Sequence, residues 1–164
     1  MRLKTTAYLK TTQITIVIDL GFGDAITAPD YELDYGSLFD MPSATVRAYS
    51  PETVIAEKFQ VVIALGIVNS RMKDFYDLYA IPRAVEISED ALLKAIKSTF
   101  MRRETDIPSE RPTGFSNAFS QDPIRQTQWA AYSAETHVAV MTLEEICGDI
   151  WVHLEPLCAK ADQS

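Results

Sequence analysis

From Gln13 to Leu20 the chain alternates, with Ile14, Ile16, Ile18 and Leu20 in one phase and Gln13, Thr15, Val17 and Asp19 in the other. A period of two predicts a strand with one face in a core, ending at Asp19. Gly21 and Gly23 of the following GFGD supply a turn. The acidic, proline-containing stretch from Asp24 to Pro42 reads as a loop with one short extended segment. A second strand is expected at Thr45 to Tyr49.

After Tyr49 the period changes from two to 3.6. Ser50, Pro51 and Glu52 form a helix start, with a hydroxyl cap, a proline at the first helical position and an acid in the first turn; Gly66 marks the stop. Asn69 or Ser70 caps a second helix through RMKDFYDLYA, which Pro82 is expected to end. Ser88 leads into a third, with Leu92, Leu93, Ile96 and Phe100 on one face. Asp122 and Pro123 open a fourth, and Thr142 with Glu145 makes a capping box for a fifth, LEEICGDIWVHL. RRETDIPSERPTG between them reads as a polar loop. Strands first and helices afterwards predict an α+β fold rather than a doubly wound sheet. The expected division is 1–82, carrying the strands and the first helices, and 83–164, a helical C-terminal region.

Composition narrows the setting. The chain has 164 residues, 47% of them hydrophobic, enough for a core that needs neither disulfides nor a structural metal. Cys147 and Cys158 form no CxxC pair, which fits free thiols in a reducing cytoplasm. No run of about 18 apolar residues suggests a membrane span. A net charge of −8, from 23 acids and 15 bases, argues against a broad basic surface for gripping DNA or RNA; a short, focused RNA contact stays open.

The candidate chemistry lies on the first two helices. Helical spacing puts Val54, Val61 and Leu65 in one row and Ile55, Phe59 and Val62 in the next, with Lys58 among them. An ammonium in an apolar stripe needs a carboxylate, a phosphate or another anion, unless its stem carries it out to water or a structural acid neutralises it. Arg71, Lys73, Asp74 and Asp77 are concentrated on the second helix. Lys73 and Asp77 fit an ordinary pair four residues apart, and the alternative has one aspartate orienting Lys58 beside a nucleotide's phosphates. Asp19, at a strand end, is either a turn former or a metal-binding carboxylate. His137 and His153 have no ligand-like spacing with the cysteines, so zinc is not expected.

The segments IDLGFGD, RAYSPETVIAEKF, LGIVNSRMKDFYDLY, FMRRETDIP and QTQWAAY, in that order, resemble the AbiEii/AbiGii nucleotidyltransferase toxins of bacterial toxin–antitoxin and phage abortive-infection systems. The resemblance implies transfer of a nucleotide from an NTP, with Mg²⁺, onto RNA such as a tRNA end, and a cognate antitoxin as partner. It implies that Lys58 is the catalytic lysine at the triphosphate and Asp74 the later essential aspartate, positioning or activating the acceptor. Lys73 and Asp77 become supporting neighbours at the nucleotide, and Asp19 a carboxylate beside the metal. It also implies a Gly-Ser motif followed by paired aspartates on one strand, and nothing between Met1 and Asp19 resembles that motif. The expectation is therefore a truncated toxin whose first catalytic motif is missing and whose activity belongs to the complete protein. The alternative is an inactive remnant that acts only as a protein-binding module.

Overall fold

The computed structural model describes residues 1–21, 31–37, 42–136 and 141–162. The turn expected at GFGD and much of the acidic stretch after it fall outside these residues. Among them the fold is α+β as expected, with two small antiparallel sheets at the N-terminal end followed by six α-helices.

The first sheet is a hairpin of β1 (Arg2–Leu9) and β2 (Thr12–Asp19), in register from Arg2 opposite Asp19 to Leu9 opposite Thr12. The sequence pattern identifies β2 but assigns no element to the residues before it. Directly opposed residues share a face, so Leu3, Ala7, Ile14, Ile16 and Ile18 lie together. That face was expected in a core, and it is not: every residue of β2 is exposed, Ile16 at 41%. Alternation marks which face of a strand can be buried; whether anything covers it depends on the rest of the fold. The second sheet pairs β3 (Glu32–Tyr35) with β4 (Ala44–Arg47), slightly earlier than the strand expected at Thr45 to Tyr49.

Helix α1 (Pro51–Leu65) starts as its sequence predicts, with the Ser50 hydroxyl accepting from the Thr53 N–H. It stops at Gly66, whose φ of +50° favours glycine. Helix α2 spans Met72–Ala84. Neither Asn69 nor Ser70 caps it: buried Asn69 accepts the Arg71 N–H with Oδ1 and shapes the preceding turn, leaving Arg71 at the cap position. Pro82 does not end this helix either. A proline removes one donor to the carbonyl four residues back, and so near the end the helix continues to Ala84 without that bond.

Helix α3 (Glu89–Arg102) is capped by Ser88, as expected. The polar loop after it leads into core-forming structure: a 3-10 turn at Thr113–Phe115 and a short helix α4 (Asn117–Ser120) bury Phe115 and Phe119 completely. Helix α5 covers Pro123–Thr136, and α6 covers Leu143–Asp162 behind the expected Thr142–Glu145 capping box. Helix α6 passes through Pro156, longer than its sequence signals suggest.

One apolar core joins α1 to α6 and draws on residues either side of position 82. Its centre is aromatic. Phe59 lies 5.2 Å from Phe100, Phe75 5.0 Å from Phe119, and Phe115 touches Phe59, Phe75 and Trp151. Gly114 lets the 3-10 turn press on α1, since a Cβ there would stand 2.9 Å from both the Val62 carbonyl oxygen and its Cγ1. Replacing Phe115 by Ala should therefore cost about 3–5 kcal/mol, read from the urea unfolding midpoint, because the rings around it are held by three separate elements and cannot close the cavity together.

Candidate functional site

Helices α1 and α2 pack against each other, with Ile55, Phe59 and Val62 of α1 turned into the core. Lys58 sits beside that row with its side chain 19% exposed, too deep to reach water freely. Asp74 and Asp77, one turn apart on α2, face it across the helix pair. Lys58 Nζ donates to Asp74 Oδ1 at 2.6 Å and stands 2.8 Å from Asp77 Oδ2. Of the readings open from sequence, the pairing with aspartates is the one observed.

The two aspartates differ. Asp74 is buried and both of its oxygens are taken, the second by Arg71 Nε at 2.6 Å. Asp77 bridges Lys58 to Lys73, the pair four residues apart anticipated from spacing. Desolvation, the largest influence on the Lys58 ammonium, lowers its pKa, but the bonds and charges of Asp74 and Asp77 together outweigh it and hold the group above its ordinary value. Helix α5 packs on α2 through Tyr132 and Tyr76. The Tyr132 phenol is pushed upward, first by desolvation and then by the Asp77 charge.

Lys58 opens into a concavity of about 410 Å³ whose lining includes Tyr49, Glu57, Lys58, Arg71, Asp74 and Arg103. Arg103 reaches it from the end of α3, where its Nη2 donates to Glu57 Oε2 at 3.0 Å. Sequence reasoning assigned no role to Glu57, Arg103 or Tyr49. Arg103 is the residue that follows α3, three positions after the buried Phe100. A second cleft, of about 380 Å³ and lined by Leu78, Pro82, Ile150 and Leu157, is mainly apolar, and its Arg83 and Asp149 are bonded to each other.

Asp19 lies apart from this network in its contacts. On the β1–β2 hairpin it takes Arg2 with both oxygens, at 2.6 and 2.8 Å, and this partner holds its carboxyl below the usual carboxylate range. Among the described residues no three His, Cys, Asp or Glu side chains are grouped to hold a metal ion. Cys147 and Cys158 are free and buried, their thiols pushed up by burial to about 12 and about 11, so neither is a nucleophile near neutral pH.

The lysine and aspartates that the structure brings together lie within the match of a family model, that of the nucleotidyl transferase AbiEii toxin of type IV toxin–antitoxin systems, over residues 1–149. The chain belongs to the AbiEii family. Membership makes it a relative of nucleotidyl transferase toxins and implies an antitoxin counterpart. No curated protein and no solved structure matches the chain. No helix among the described residues of this AbiEii protein is long and apolar enough to cross a membrane.

Two stability predictions follow from the network. Asp74→Asn strips charge from an acceptor that holds two cations, so it should cost about 1–3 kcal/mol, less than a fully buried pair because Asp77 still holds Lys58. Lys58→Met should cost less, since Asp74 keeps Arg71 and Asp77 keeps Lys73; the order of the two urea midpoints checks this. The pH dependence has a definite sign. With its folded pKa raised, Lys58 contributes stability that is fully present below the ordinary lysine value of 10.5 and lost as pH rises through the higher folded value. The difference between wild-type and Lys58→Met midpoints should stay flat from neutral pH to about 10.5 and shift only above it.

Proposed function

We propose that the Lys58 concavity is the phosphate-binding part of a nucleotidyl-transfer site that takes an NTP as donor and an RNA hydroxyl, such as that of a tRNA end, as acceptor. The observation that carries this reading is the Lys58 ammonium, kept charged by two aspartates at the wall of a concavity shared with Arg71 and Arg103. In the reaction the hydroxyl oxygen bonds to the α-phosphorus. The bond from that phosphorus to the pyrophosphate oxygen breaks, pyrophosphate leaves with the electron pair, and the hydroxyl proton passes to solvent. Charge gathers on the leaving phosphates, where cations oriented in advance lower the barrier most.

Lys58 contacts the triphosphate in this reading. Asp74 positions Lys58 and Arg71; with both oxygens bonded to cations it is poorly placed to take the acceptor's proton. Lys73 and Asp77 support the same arm, Asp77 by bridging the two lysines. The Mg²⁺ that such a transfer generally uses has no fitting donor set among the described residues, because the nearby carboxylates are held by lysine and arginine. No step is assigned to it, and Asp19 is a single carboxylate paired with Arg2. A second reading, a protein-binding module without catalysis, draws support from the uncovered apolar face of the β1–β2 hairpin.

Incubating the chain with tRNA and each of the four α-labelled NTPs separates these readings. Labelled RNA is expected with at least one NTP, and Lys58→Met should reduce labelling by about 100-fold or more, the scale of losing one preorganised electrostatic contact. Undiminished labelling by Lys58→Met would overturn the role of that lysine, and no labelling with any NTP would favour the binding module.

A further inference from the structure

Resting on the nucleotidyl-transfer reading, we propose that Arg71 is a second phosphate-binding arm of the Lys58 concavity, held through Nε by Asp74 so that the end of its guanidinium is left for the ligand. Buried groups fix this residue at both its backbone and its side chain. The Arg71 N–H donates at 2.9 Å to Oδ1 of Asn69, which is fully buried and shapes the turn leading into α2. Its Nε donates at 2.6 Å to Oδ2 of Asp74, only 3% exposed. Among the described residues the guanidinium makes no other hydrogen bond, which leaves Nη1 and Nη2 to a ligand. The side chain lines the concavity while 61% exposed.

Charge and shape both point to an anion. Among the described residues the ion pairs of Lys58, Arg71 and Lys73 run only to Asp74 and Asp77, three cations to two carboxylates. Glu57, the other acid lining the concavity beside them, is engaged by Arg103. The planar end of a guanidinium presents two parallel N–H groups to a phosphate, a geometry that a lysine ammonium does not offer. With Nε already tied to a buried carboxylate, the side chain has fewer rotamers to lose when a ligand arrives. Lys58 and Arg71 bond the two oxygens of the same Asp74 carboxylate, so a point charge from α1 and a directional fork from the start of α2 stand side by side, placed for neighbouring phosphates of one polyphosphate.

The test is calorimetric titration of inorganic tripolyphosphate into the 164-residue chain and into Lys58→Met, Arg71→Ala and Arg71→Lys, each first checked by thermal melting. Wild type should bind, and Arg71→Ala should bind about tenfold more weakly, the loss of one charge-assisted contact. Arg71→Lys can still pair with Asp74 and keeps the charge but not the fork, so it should melt like wild type and bind with an affinity between the two. Wild-type affinity in both Arg71 variants, with binding lost in Lys58→Met, would overturn the role of Arg71 and leave the transfer reading standing. Wild-type affinity in Arg71→Lys alone would overturn the fork. A wild type that takes up no tripolyphosphate would overturn both the arm and the phosphate-binding reading of the concavity.

Discussion

Lys58 stays charged beside the core because Asp74 and Asp77 meet it, and much of the site's geometry follows from that need. The ammonium leaves α1 next to the row of Ile55, Phe59 and Val62, where water is largely excluded. An unpaired charge there would cost several kcal/mol. Asp74 meets it from α2 and uses its second oxygen for Arg71, so a single buried carboxylate ties together a helix pair and two cations. Asp77, one turn on, extends the same line to Lys73.

That polar line rests on an aromatic frame. Phe59, Phe75, Phe100, Phe115 and Phe119 come from α1, α2, α3, the 3-10 turn and α4, and interlocking rings from separate elements resist independent movement. The helices that carry Lys58, Asp74 and Arg103 are therefore held relative to one another by packing, and the ion pairs set only the last ångströms. The hairpins lack such support. A two-stranded sheet is marginal alone, and β1–β2 leaves Ile14, Ile16 and Ile18 exposed.

The same physics separates groups poised for chemistry from groups that merely pack. Burial raises Cys147 and Cys158 until their thiols are inert, because desolvation outweighs the Arg111 charge near one and the backbone hydrogen bond at the other. Burial alone would silence Lys58 too, yet two aspartates reverse its effect. Within an acidic protein they keep one ammonium charged beside the core.

Much of the fold was legible from local signals. Ser50, Pro51 and Gly66 bound α1, Ser88 starts α3, and the Thr142–Glu145 box starts α6, each because capping is settled by a few adjacent residues. The segments carrying Lys58 and Asp74 were legible in the same way, as ordered stretches of sequence. What misled were signals that read a residue without its surroundings: Pro82 where a helix could spare one bond, a polar loop that ends in buried phenylalanines, and an alternating strand whose apolar face is exposed. By itself the sequence determined the helical periods, the caps and the residue types available for chemistry, all of which depend on neighbours within a turn or two. Only the tertiary structure decided that Asp74 rather than water meets Lys58, that Asp19 meets Arg2, and that Glu57 draws Arg103 in from another helix. Those pairings join residues 16 to 46 positions apart, a separation that local pattern does not encode and that packing of one helix on another resolves.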